Sequence, residues 1–171
     1  EGPFPAVMTL TGAGGGIDEL PAHGLAREGF AAFALATHRA RGLPRALRDI
    51  PIEYCQSAID WLRETIRPPK NVIALRGWSR GGELALILGA MFPSVRAVLA
   101  YAPRTYVGLG APHPDDFDNP SAPPAWTWRG KPLHFKPLPA RLMSNPKHPT
   151  LEDRYGIPIE RTRGPILFVS G

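Results

Sequence analysis

Apolar runs of β type alternate with helical patterns through the first hundred residues, and this alternation restricts the chain to one class of fold. Ala6 to Thr11 (AVMTLT) is a short apolar run closed by Gly12-Ala13-Gly14-Gly15-Gly16, and a helical pattern from Asp18 to Glu28 follows, with Gly29 placed to end it. Ala31 to Thr37 predicts a second strand. Beyond a loop carrying Arg39, Arg41, Arg45 and Arg48, an amphipathic helix spans Ile52 to Ile66. Cys55, Ala58, Ile59, Leu62 and Ile66 fall on one of its faces, and Pro68-Pro69 stops it. Asn71 to Trp78 reads as a third strand and Gly82 to Met91 as a helix apolar all round, hence buried. Val95 to Ala102 and Ile166 to Ser170 supply two more strands. Strands separated by helices of roughly 10–15 residues pair in parallel through right-handed crossovers, with helices on both faces. The expected architecture is α/β, a doubly wound and mostly parallel sheet.

The 171 residues suit a single domain, and 43% apolar with 20% charged residues is the balance of a folded globular chain. No apolar run approaches the ~20 residues of a membrane span, so none is expected. Cys55 is the only cysteine, which excludes an intrachain disulfide and points to a reducing, cytoplasmic or otherwise intracellular setting. The formal charge of +5 would attract anionic ligands, but no nucleic-acid recognition motif accompanies it, and nucleic acid is not an expected partner. Many of the prolines gather between Pro103 and Pro165, where periodicity is weak. A segment of that length inside one domain is usually functional, and residues 104–163 are expected to form a lid or insertion over the sheet's C-terminal edge.

The sharpest chemical signal is Gly77-Trp78-Ser79-Arg80-Gly81-Gly82, set directly between a strand and the apolar helix. G-x-S-x-G in that context is the nucleophile elbow of the α/β-hydrolases. A serine at so sharp a turn occupies a strained backbone conformation, and Gly77 and Gly81 must be nearly without side chains because strand and helix almost touch there. The turn lifts the Ser79 hydroxyl above the sheet edge and sets the Arg80 amide at a helix N-terminus, where it can donate to a developing oxyanion. Acyl transfer needs a second donor, and in this fold it comes from the loop after an earlier strand. Ala13 is the candidate, with Gly14 the neighbour that could take its place. A phosphate-binding glycine loop is disfavoured, because neither G-x-G-x-x-G nor a G-K-[ST] ending is present as required.

These residues, taken with others, resemble the C-terminal catalytic domain shared by acyl-CoA thioesterases and bile acid-CoA:amino acid N-acyltransferases. The resemblance covers nearly the whole chain. It rests on Gly2-Pro3-Phe4-Pro5 before the first strand, Gly29-Phe30, Leu43-Pro44, Glu53-Tyr54 and the run Gly77 to Leu84. It continues through Trp126-Thr127-Trp128-Arg129-Gly130-Lys131-Pro132 and Ile157-Pro158-Ile159-Glu160 to Gly164-Pro165-Ile166-Leu167. The resemblance implies a nucleophile at Ser79. The family's thioesterases resemble the serine form and its conjugating enzymes the cysteine form, so hydrolysis of acyl-CoA is expected over transfer to an amine. Lysine usually follows the nucleophile in the family, and here Arg80 keeps the charge with a different shape. The family also implies an N-terminal β-sandwich, absent from this sequence.

A serine hydrolase needs a histidine to take the hydroxyl proton and a carboxylate to orient it. The resemblance implies that the acid follows the strand Ile166 to Ser170 and the histidine comes later, so these 171 residues alone are expected to be inactive, a domain truncated at its C-terminus. Within the chain, Asp115, Asp116 or Asp118 with His134 or His148 would keep the required order. His113 to Asp118 also resembles a metal-binding string, but a solvated loop is the simpler reading, and neither a metal nor another cofactor is expected. His23 is expected on a helix surface, His38 at a strand end and Cys55 in the core. Arg39, Arg41, Arg129, Lys131 and Lys136 are candidates for the phosphates of CoA, with solvated surface charge as the alternative. Trp126 and Trp128 would line an acyl pocket or pack the insertion. The alternatives to a thioesterase are a carboxylesterase or dienelactone-hydrolase-like enzyme, and a catalytically inactive binding domain.

Overall fold

Five parallel strands dominate the computed structural model, which describes residues 3–110, 122–135 and 156–170. Strands β1 (Ala6–Leu10), β2 (Ala31–Leu35), β4 (Ile73–Trp78), β5 (Val95–Tyr101) and β8 (Ile166–Val169) run in the order β2-β1-β4-β5-β8. Each differs from its expected span by at most two residues at one end. β1 lies between two neighbours, and all five of its residues are buried, as an interior parallel strand requires. β8 is an edge strand, with Leu167 and Phe168 60% and 41% exposed.

The helices follow from local chemistry. Helix α1 (Glu19–Arg27) ends where the Gly29 amide bonds to the Ala26 carbonyl and the Phe30 amide to the Leu25 carbonyl. Gly29 sits at φ +85°, the left-handed position such a cap demands. Helix α2 (Ile52–Thr65) buries Ile52, Cys55, Ile59 and Leu62, largely the stripe read from the sequence. Helix α3 (Arg80–Met91) is buried from Arg80 through Gly89, and Leu84 to Leu88 are each at most 1% exposed. Fully burying one such aliphatic side chain contributes about 1.5–3 kcal/mol, so α3 is the hydrophobic centre of the molecule.

Alternation along β2 sets the layers. Phe33 packs against Trp61 of α2, whereas Ala32 and Ala34 share a concavity with Ala22, His23 and Ala26 of α1, so these helices cover opposite faces. The register carries Phe33 through Met8 and Leu75 to Val98, which packs against Gly89 of α3, putting α2 and α3 on one face.

The proline-rich region holds more structure than its periodicity suggests. Strands β6 (Trp126–Trp128) and β7 (Lys131–Pro132) form an antiparallel pair, and β6 pairs in parallel with β3 (Ile50–Pro51) just before α2. Ala125, Trp126, Leu133 and Ile157 are buried with the main core. Strands of two or three residues carry no readable period, which is why the sequence shows only an irregular stretch there.

Candidate active site

All five strands of the main sheet point the same way, so the loops after β1, β2 and β4 meet at one edge. Ser79 stands there between β4 and α3 with φ 53° and ψ −116°, a left-handed-side conformation that costs on the order of 1–3 kcal/mol in a non-glycine residue. Two backbone bonds hold it: the Ser79 amide donates to the Tyr101 carbonyl at 2.8 Å, and its carbonyl accepts from the Glu83 amide at 3.0 Å. The flanking glycines are obligatory by contact. A Cβ on Gly77 would enter the Gly81 carbonyl, and one on Gly81 would enter the carbonyls of Leu10 and Thr11. The turn is therefore wedged against the end of β1.

That wedge brings the glycine loop to the serine. A Cβ on Gly12 would lie 3.3 Å from the Trp78 carbonyl and 3.5 Å from Ser79 Cβ. The Gly15 amide bonds to the Gly12 carbonyl at 3.1 Å, closing a turn whose central residues are Ala13 and Gly14. Gly14 is exposed and Ala13 half-buried. Thus Ser79, Arg80, Gly77 and Gly81 form one unit, with Ala13 and Gly14 on the adjacent loop.

The Arg80 side chain has a separate occupation that its backbone role did not suggest. It is 3% exposed and paired to the fully buried Glu83, Nη1 to Oε2 at 2.5 Å. Nη2 donates to the carbonyls of Leu109 at 2.8 Å and Gly108 at 3.4 Å. Burial pushes the guanidinium's pKa down from its usual value, and the Glu83 carboxylate opposes that. Glu83 Oε1 accepts from the Gly108 amide at 3.0 Å and from the Trp126 indole N–H at 2.8 Å. The first turn of α3 thereby fastens the insertion from below. The i, i+3 spacing of Arg80 and Glu83 was the available sequence signal for this pair.

Trp126, 1% exposed and held by Glu83, belongs to the core, so packing rather than pocket lining accounts for it. Trp78 instead is 57% exposed beside Ser79. Arg39 and Arg41 are exposed after β2, with Arg39 Nε donating to the Arg45 carbonyl. Lys131 is exposed on β7, and the nearby Arg129 lies over Trp128 at 5.6 Å, its amide bonded to Glu53. Among the described residues none of these basic side chains hydrogen-bonds to Ser79. Lys136, Asp115, Asp116, Asp118, His113 and His148 lie outside the described residues, and His134 is exposed.

His23 is exposed on α1, and Cys55 is buried with its thiol pushed up to about 12 by burial, which leaves no thiolate at neutral pH. His38 is buried, with Nε2 3.0 Å from the Ala13 carbonyl. Among the described residues no imidazole hydrogen-bonds to Ser79, no group of three or more His, Cys, Asp or Glu converges, and no helix is long and apolar enough to cross a membrane.

Residues 50–171, which include the elbow, Trp126 and β8, match the family described as BAAT / Acyl-CoA thioester hydrolase C terminal. The chain belongs to the BAAT/acyl-CoA thioester hydrolase C-terminal family. Relatives of this family member include acyl-coenzyme A thioesterase 1 of Rattus norvegicus, 32% identical over 99% of this chain and 40% of that protein. The peroxisomal succinyl-coenzyme A thioesterase of Mus musculus is 29% identical over 100% of this chain and 40% of that protein. The chain thus spans about two fifths of the length of these curated relatives. Among solved structures, the type II thioesterase BorB of the borrelidin biosynthetic cluster superposes with a TM-score of 0.52 at 20% identity, covering 100% of this chain and 83% of that one. A putative dienelactone hydrolase from Klebsiella pneumoniae gives 0.53 at 14% identity, over 99% and 75%. The fold of this BAAT/acyl-CoA thioester hydrolase family member is that of the α/β-hydrolases.

Proposed function

We propose that the protein hydrolyses acyl-CoA thioesters through a serine acyl-enzyme at Ser79. The observation that carries this is the strained Ser79 backbone, wedged against the loop after β1 so that Ser79, the start of α3 at Arg80 and the Ala13–Gly14 turn lie at one edge of the sheet. Ser79 Oγ attacks the thioester carbonyl and gives its proton to a histidine base. The carbonyl oxygen takes the negative charge and is held by the Arg80 amide and one amide of the Ala13–Gly14 turn. Collapse expels the CoA thiolate, which receives that proton, and water then releases the acid from Ser79 by the same steps. The family resemblance assigns the base and its carboxylate to positions after β8.

Exposed Arg39 and Arg41, at the same edge as Ser79, and Lys131 with Arg129 suit the phosphates of CoA. A single buried cysteine suits a reducing, intracellular site of action. The test uses the complete gene product with acyl-CoA and nitrophenyl esters side by side. The expected result is thiol release from acyl-CoA that Ser79→Ala abolishes. Preference for the oxygen esters, or turnover of acyl-CoA by Ser79→Ala, refutes the proposal.

A further inference from the structure

Across the glycine loop from Ser79 stands a histidine that the proposed reaction does not use. His38 follows β2 and is 1% exposed. Its Nε2 lies 3.0 Å from the Ala13 carbonyl oxygen and its Nδ1 3.0 Å from the Thr37 hydroxyl. A carbonyl oxygen only accepts, so Nε2 carries the proton and Nδ1 accepts from Thr37. Burial lowers the pKa of the imidazole and keeps it neutral, with nearby Arg39 and Arg80 acting in the same direction and the Ala13 bond opposing.

The loop is closed around this ring. The Gly16 amide donates to the His38 carbonyl at 2.8 Å. Gly15 takes φ +65°, and a Cβ there would come within 2.7 Å of ring Cδ2 and 2.8 Å of Nε2. The ring therefore occupies the space that a side chain at position 15 would need.

In a trans peptide the C=O and N–H point in opposite directions. With the Ala13 carbonyl turned to the His38 ring, the N–H of the same peptide unit, that of Gly14, is turned away from that ring. His38 stands on the β2 side of this loop, and the opposite, β4 side is where Gly12 of the same turn meets Trp78 and Ser79. Gly14 is exposed with no backbone partner for its amide among the described residues. The geometry points to His38 as a positioning residue that holds the Ala13 carbonyl and so aims the Gly14 N–H, beside that of Arg80, at the oxyanion. This role rests on the proposed acyl-enzyme reaction.

The test compares Ser79→Ala, His38→Phe and His38→Gln in the complete gene product on acyl-CoA thioesters of short, medium and long chain. Phe fills the ring's space without a donor, whereas the Gln amide reaches the Nε2 position with one. His38→Phe should lower kcat about 10- to 100-fold with KM little changed, the scale of losing or misaiming one oxyanion donor. The rate of Ser79 labelling by a fluorophosphonate should fall in parallel, and His38→Gln should recover most of both. A His38→Phe protein with the parent kcat, or a Gln variant no better than Phe, overturns the role. Turnover by Ser79→Ala instead shows that the reaction itself was misassigned. Should the Phe variant not fold, nitrogen NMR of the parent imidazole decides: the Nε2–H tautomer is expected, and a dominant Nδ1–H tautomer overturns the role.

Discussion

Removing the Glu83 carboxylate is the most informative change that leaves the reacting groups in place. Glu83→Leu keeps a side chain of similar size but replaces the carboxylate with methyls, and so strands a 3% exposed guanidinium, together with the Gly108 amide and the Trp126 indole N–H. Breaking a buried ion pair by deleting one partner costs about 3–5 kcal/mol, and each abandoned donor adds about 1–3 kcal/mol before relaxation. These terms overlap, so about 3–5 kcal/mol is the expectation, or a Tm lower by about 6–20 °C in a domain of this size. Arg80→Met should cost a similar amount. The double variant Arg80→Met/Glu83→Leu should be less destabilised than the sum by about 2–3 kcal/mol, because neither charge is then left unpaired. Urea unfolding followed by circular dichroism measures all three. A single variant within about 0.5 kcal/mol of the parent, or a double variant equal to the sum, would refute the idea that this pair joins α3 to the insertion.

Further expectations concern glycines and titratable groups. Gly81→Ala should abolish serine reactivity, because its methyl would enter the Leu10 and Thr11 carbonyls, whereas Gly24→Ala, with open space around it in α1, should raise stability by about 0.5–1 kcal/mol. Thermal scans and fluorophosphonate labelling of both variants check this. The Cys55 thiol stays protonated in the fold up to about 12, while an unfolded thiol ionises from about 8.5. The folded state then binds more protons in that window, so stability should fall as pH rises through it, by at most about 1.4 kcal/mol per pH unit. Cys55→Ala should remove that component, measured as the difference between the two unfolding profiles. His38, with its pKa depressed by burial, works in the opposite sense: the unfolded imidazole binds the proton first, so stability should fall as pH drops below about 6.5. His38→Gln should flatten that acid limb in the same experiment.

The parts of this fold that were legible before any coordinates are those where one physical demand acts on several residues at once. A continuous apolar run made AVMTLT read as a strand, its burial on both faces following from its place between β2 and β4, and helical spacing picked out Cys55, Ile59 and Leu62. The near contact of strand and helix at Ser79 demanded Gly77 and Gly81 together, which is why the elbow was visible at all. Trp126 was ambiguous because an indole in an irregular stretch packs or lines a pocket equally well. A buried carboxylate forty-three residues away, Glu83, decides between them. His38 precedes Ser79 and fits only a different chain order from that of the α/β-hydrolases, so the sequence offered only a strand end. Its contact with Ala13 depends on β2 lying beside β1. The β3-β6-β7 sheet was hidden for a similar reason, since tertiary pairing rather than pattern creates strands so short.

The proposed hydrolysis depends on the hydroxyl of Ser79. Mass spectrometry of the complete gene product after reaction with a fluorophosphonate, with and without prior acyl-CoA, tests it directly. One adduct at Ser79, slowed by acyl-CoA and absent from Ser79→Ala along with thiol release, is the predicted result. An adduct on another residue, or undiminished thiol release by Ser79→Ala, would contradict it.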